Sequence, residues 1–238
     1  MTRLQIEDRI AEAYPDVRVA GCAATGIDRA AAGLVVPDVA SVAEDLAAIG
    51  ATIEQLASHP RVAPWREATG RAGLKPSTYR SSPEALARRF LKGAGVTTGL
   101  PVVDAYCALS ARHLAPLGAY DVDCLPPGAP IDLRHGRPGD AFAPIGAGDV
   151  PLSESVAVYA AGATILCWDF NHRDSRDTCL EAGTTTALFL GEAVHPDQHD
   201  ALDAALADLA ELLAGAGATV GPIRVATAVA PRVEIEPG

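Results

Sequence analysis

Apolar positions along this chain fall into two patterns, one with helical spacing and one strand-like. Val42, Leu46, Ile49, Ile53 and Leu56 line one helical face. They predict a helix that Asp38 or Ser41 can cap and that runs to about Ser58, where His59–Pro60 stops it. An earlier helix is expected over residues 5–13, ending before Pro15. Ser82 followed by Pro83 is a helix start, with Ser81 and Glu84 as an alternative capping box, and Gly93 closes that helix. Tyr106, Leu109 and His113 share a face of the next helix, for which Asp104 can serve as N-cap. Pro196 opens a long amphipathic helix burying Leu202, Leu206, Leu209, Leu212 and Leu213, and Gly215 and Gly217 end it.

The strand-like runs are residues 17–22, 131–135, 155–160, 164–168, 186–194 and 220–228, separated by turns rich in Gly and Pro. Helices at both ends with strands between them predict an α+β fold, without the regular βαβ alternation of a doubly wound sheet. No internal repeat and no low-complexity segment interrupts the pattern.

Composition narrows the class. With 238 residues, 49% apolar and 21% charged, the chain can bury a sizeable core and is not of disordered composition. No apolar run approaches the ~18 residues that would suggest a membrane span. The opening MTRLQIEDRIAEAYP lacks the apolar core of a signal peptide, so a cytoplasmic location is the expectation. Five scattered cysteines without a CxxC fit reduced thiols.

Charge qualifies the picture. The net −11 opposes nonspecific nucleic-acid binding, yet residues 61–92 hold eight cations against Glu67 and Glu84, a local +6 that leaves −17 for the rest. One basic island on an acidic body suits an anionic partner approached from one side; a solvated helix face is the plainer reading of the same residues.

Between about Trp65 and Val194 an ordered set of short patterns appears. A serine precedes Glu84, Leu86 and Arg89; Val103, Asp104 and Tyr106 follow on a helix; then come Pro116, Gly118, Tyr120 and Asp121, an aromatic–aspartate turn. Leu133 with Arg134, Gly139–Asp140–Phe142, and the run Phe170, Asn171, His172, Arg173, Asp174, Ser175 complete it. In order and spacing this resembles the B3/B4 domain of the bacterial phenylalanyl-tRNA synthetase β subunit, and most of all the free-standing members of that family.

The resemblance implies a three-layer α+β domain with central β-structure flanked by helices, over residues 61–238, with residues 1–60 as an N-terminal extension packed on it. It implies hydrolysis of misacylated aminoacyl-tRNA in trans, by an oriented water in a pocket. The alternative it implies is a non-catalytic module that binds tRNA or a free amino acid. Cys107 and Gly118 stand where the synthetase pattern has Asn and His.

An aminoacyl ester is activated, so a pocket that orients water and donates hydrogen bonds to the oxyanion suffices for its hydrolysis. His172, in a polar turn beside Asn171, is the candidate general base, against a plain surface turn. Asp104 is either a pocket carboxylate or a helix cap. Tyr106, Cys107, Gly118, Asp121 and Arg173 are the candidate substrate pocket, although Tyr106 and Cys107 also read as core and Asp121 as a turn residue. Lys75, Arg80, Arg88, Arg89 and Lys92 are the candidate tRNA contacts. Cys167, His172 and Cys179 lack paired ligand spacing, so neither metal nor cofactor is expected. No membrane or DNA partner is expected.

Overall fold

Alternate residues of the segment Arg18–Thr25 enter two different cores, and this sets the layers. A computed structural model describes residues 1–170 and 172–238. In chain order its elements begin with β1 (Thr2–Ile6), α1 (Asp8–Ala13), β2 (Arg18–Thr25), α2 (Ile27–Ala30), α3 (Val39–Ala48), α4 (Ala63–Arg71), α5 (Ser82–Leu91) and α6 (Pro101–His113). Next come β3 (Leu117–Asp121), β4 (Ile131–His135), β5 (Ala141–Phe142), β6 (Val150–Pro151), β7 (Ala157–Ala161), β8 (Thr164–Trp168) and β9 (Arg173–Asp174). The chain closes with β10 (Thr186–Ala193), α7 (His199–Gly215), β11 (Thr219–Val220), β12 (Arg224–Thr227) and β13 (Arg232–Ile235).

The architecture is α+β. One sheet runs β13-β1-β4-β7-β8-β9, and a second runs β11-β2-β10-β3, with β12 also on β2. Only β1 and β4 pair in parallel among the registers of these two sheets. Val19 and Ala23 of β2, Leu188 and Leu190 of β10, and Tyr120 of β3 meet Leu4, Ile6, Ile131, Leu133 and Tyr159 of the first sheet. The opposite face of the second sheet, through Ala20, Cys22 and Phe189, packs on α6 and α7. Helix α6 in turn buries Ala108 and Ala111 against Val42 and Leu46 of α3 and Phe90 of α5. Gly21 makes room for its neighbour β10 within the second sheet, since a Cβ there would lie 2.4 Å from the Phe189 carbonyl oxygen.

Several expected elements differ. The first expected helix, over residues 5–13, begins only at Asp8; Gln5 and Ile6 belong to the strand Thr2–Ile6, whose Leu4 and Ile6 enter the inter-sheet core and which pairs with β4 and β13. Asp38 does cap α3, accepting from the N–H groups of Ala40 and Ser41 at 2.9 and 3.0 Å. The helix stops ten residues before Ser58, at the left-handed Gly50 (φ 74°), where the Ala51 N–H bonds back to the Leu46 carbonyl. Leu117–Asp121, read as a turn, is a fully buried strand whose alternating residues serve both cores. Asp104 is no N-cap: α6 starts at Pro101, and the Asp104 carboxylate accepts from the Thr98 N–H at 2.7 Å and the Thr98 hydroxyl at 2.8 Å. Among the described residues no helix is long and apolar enough to cross a membrane.

Candidate functional site

Helix α4 and the start of α5 build one wall of a narrow cleft. Trp65 and Thr69, four residues apart, lie on one face of α4, and both are buried. Ser81 and Ser82 stand at the start of α5 without capping it. Their Oγ atoms and the Trp65 Nε1 are buried with no hydrogen-bond partner among the described residues. All four residues line the same narrow cleft, together with Pro116 and Glu192, around a cavity of about 10 Å³.

The other wall comes from the connection between β8 and β9, through Asp169, Phe170 and His172. Asp169 and Phe170 both adopt left-handed backbone (φ 51° and 60°), a conformation that costs a non-glycine residue about 1–3 kcal/mol. The Phe170 ring holds it in place: it packs edge-on against Tyr14 and Trp65, each with centroids 5.3 Å apart, while the Phe170 N–H donates to the Ala157 carbonyl at 3.0 Å. The turn thereby directs the Asp169 side chain inward. Its carboxylate is 8% exposed, accepts from the Thr69 hydroxyl at 3.2 Å and makes no ion pair among the described residues. Burial pushes its pKa up to about 6, with the Thr69 hydrogen bond opposing.

His172 closes this wall. Its Nδ1 is bonded to the backbone carbonyl of Arg80, and the ring lies edge-on to Trp168 (5.2 Å) and Tyr79 (6.3 Å). A carbonyl only accepts, so Nδ1 carries the hydrogen and Nε2 keeps the lone pair. Burial lowers the His172 pKa; the Arg80 hydrogen bond opposes this and the Arg173 charge adds to it. The neutral, basic form is therefore favoured at neutral pH. On the far side of His172 lies a wider groove of about 340 Å³, walled by Tyr79, Trp168, Phe142, Pro144 and Arg173. His172 borders both spaces.

Most of the other candidate residues sit elsewhere. Asn171 lies outside the described residues. Tyr106 packs on Phe189 in the core beneath α6, with centroids 6.5 Å apart. Cys107 is pushed up to about 12 by burial, so it carries no thiolate at neutral pH. Gly118 pairs with Leu190 inside β3. Asp121 accepts from the Thr184 hydroxyl at 2.6 Å and the Asp123 N–H at 2.9 Å, which fixes the end of that strand. Asp104 is committed to Thr98. Of the proposed pocket residues only Arg173, exposed on β9, joins His172 at the groove. Among the described residues no cluster of His, Cys, Asp and Glu side chains is arranged to hold a metal ion.

The basic island is partly self-neutralised. Glu84 is fully buried, and Arg66 (2.9 Å), Arg88 (3.1 Å) and Arg80 (3.6 Å) converge on its carboxylate. Arg89 donates to the Gly95 carbonyl, while Lys75 and Lys92 are exposed. Three guanidinium groups on one carboxylate still leave a local positive excess beside the cleft.

Sequence reasoning passed over Asp169, Thr69 and Trp65, and took Ser81 and Ser82 for caps only. The one signal for Asp169 was an acid between Trp168 and Phe170, in a turn already marked by His172.

A family model for the B3/4 domain matches residues 64–212, well over half of the chain, and the chain belongs to the B3/4 domain family. Among solved structures it is similar to an N-terminal fragment of the phenylalanyl-tRNA synthetase β-subunit from Pyrococcus horikoshii, with 12% identity and a TM-score of 0.42. That likeness covers 50% of this chain and 41% of the fragment. No curated protein matches.

Proposed function

We propose that this B3/4 domain hydrolyses the ester bond of misacylated aminoacyl-tRNA, with the cleft between α4 and the β8–β9 connection as its reaction site. The observation that carries the reading is the His172 tautomer. The Arg80 carbonyl holds Nδ1–H and leaves Nε2 basic at the border of a cleft lined by hydroxyls and an indole N–H. In this reading His172 takes the proton from the attacking water, forming the hydroxide–carbonyl bond. The Ser81 and Ser82 hydroxyls and the Trp65 N–H donate to the oxyanion, and the departing ribose oxygen recovers the proton from His172. Membership of the family and the positive excess around Glu84 support tRNA as the carrier of the ester.

A second reading, a module that holds a free amino acid without chemistry, is favoured by the burial of Cys107 and Gly118 away from the cleft. Incubation with a panel of mischarged tRNAs separates the two. Deacylation above the buffer rate for at least one supports hydrolysis; the buffer rate for all of them leaves the binding reading.

A further inference from the structure

The groove on the far side of His172 has no part in the hydrolytic step, yet it is by far the roomier of the two spaces. Tyr79, 37% exposed, and Trp168 form one side, with ring centroids 5.3 Å apart and planes at 67°. The β5–β6 hairpin forms the other through Phe142, Pro144 and Val150. Main-chain contacts tie that hairpin to the residue sequence just after β9. The Arg176 N–H donates to the Ala143 carbonyl at 2.8 Å, and the Arg176 guanidinium to the Ala147 carbonyl at 2.9 Å. Charge completes the groove. No Asp or Glu lines it among the described residues, and its one fixed charge is the exposed Arg173, which makes no ion pair among them. Asp149, on the hairpin, is already paired with Arg176. Lys75, also exposed, opens the turn in which the Tyr79 N–H donates back to the Lys75 carbonyl at 2.9 Å.

We propose that this groove seats one unpaired nucleotide, its base stacked on the Tyr79 and Trp168 rings and its phosphate on Arg173. An aromatic wall facing Pro and Val selects a planar ring, and every base presents a π-face to it. A guanidinium without a protein acid selects an anion attached to that ring. An acyl side chain would satisfy the wall but leave the cation unmet. At about 340 Å³ the groove sits at the small end of the ~300–1,000 Å³ of ligand pockets, so it takes one nucleotide and not a run of them. The cavity of about 10 Å³ on the other side of His172 has room for about one water. With the base in the groove, the ribose that carries the ester lies at His172, which borders both spaces. The inference rests on the hydrolytic reading for that ester, but not for the nucleotide.

Tryptophan fluorescence reads the site, since the chain has two tryptophans and Trp65 is buried outside the groove. Adenosine 5′-monophosphate should quench it saturably, with adenosine binding more weakly and ribose 5-phosphate unable to compete. The nucleotide should bind about tenfold or more weakly to Tyr79→Ala, the scale of a lost base–aromatic stack. In Arg173→Gln its advantage over adenosine should disappear. No saturable quenching, an unchanged Kd in Tyr79→Ala, or competition by ribose 5-phosphate would each overturn the proposal. Equal affinity for the nucleotide and adenosine, or an advantage that persists in Arg173→Gln, would do so too. Displacement of the nucleotide by an equal concentration of phenylalaninamide would give the groove to the acyl side chain instead. If Tyr79→Ala does not fold, Tyr79→Leu, which keeps apolar bulk without a ring, takes its place. Nucleotide binding by a protein that deacylates no mischarged tRNA would sink the hydrolytic reading and leave this one standing. Deacylation that the nucleotide does not slow would do the reverse.

Discussion

The Nδ1 of His172 is held by the backbone carbonyl of Arg80, 92 residues earlier in the chain. That contact joins the β8–β9 connection to the segment before α5. One wall of the cleft thus fixes the tautomer of the other. In the hydrolytic proposal this is why neither segment discloses the site alone: the histidine supplies the candidate base, and a main-chain atom remote in sequence sets its tautomer.

The pH dependence of deacylation follows. In the proposed hydrolysis His172 would work when neutral, and burial sets its pKa below the usual imidazole value, with the Arg80 bond opposing and Arg173 lowering it further. Asp169 and Glu192 also face the cleft. The rate should rise with pH and level off below about 6.5, the ordinary imidazole value. A limb centred well above that value would assign the titration to another group.

Asp169 couples the cleft to stability. Its folded pKa, about 6, exceeds the unfolded carboxylate value, so the protonated form is favoured by folding. The resulting stability is fully present below pH ~4, and it is lost as pH rises through about 6. Asp169→Asn removes the penalty, so the variant should be more stable than the parent at pH 7.5 by on the order of 2 kcal/mol, with the gap closing toward pH 4. Denaturant midpoints at the two pH values measure it. A gap that widens on acidification would contradict the assignment.

Glu84 is the hub of the basic island. Glu84→Gln should leave Arg66, Arg80 and Arg88 facing one another and cost about 3 kcal/mol, the low end for a broken buried pair because the arginines reach solvent. Urea denaturation checks this. A loss under about 1 kcal/mol would show that the cluster is only a surface ion-pair network.

Lys75 and Lys92, exposed and without an ion pair among the described residues, are the cleaner test of RNA docking than Arg88, which Glu84 needs. Lys75→Ala with Lys92→Ala should weaken tRNA binding and reduce the salt slope by about 1 per lost phosphate contact. Filter binding across a salt series reads both. An unchanged slope would place the RNA on another face.

The layers were legible because they depend on period. The strand-like run over residues 186–194 and the helical spacing of Leu202, Leu206 and Leu209 each survive into the structure. Gln5 and Ile6 read as part of the helix that follows because so short a run fits either period, and pairing with β4 and β13 makes them strand. His172 was legible as a candidate base in a polar turn, and it borders the cleft. Asp169 was not, since its importance comes from left-handed backbone held by Phe170 against Tyr14 and Trp65, contacts made across the chain. Ser81 and Ser82 looked like caps because serine at a helix start usually is one. Only the packing of α4 against the β8–β9 connection gives them a cleft to line.

The central claim is tested most directly by the single-turnover deacylation rate of mischarged tRNA by the unaltered protein beside His172→Gln, at pH 7.5. Catalysis above the buffer rate that falls about 10²–10⁴-fold in the variant is the predicted result, the usual contribution of a general base. A variant that deacylates as fast as its parent would contradict the account and remove the cleft as the reaction site.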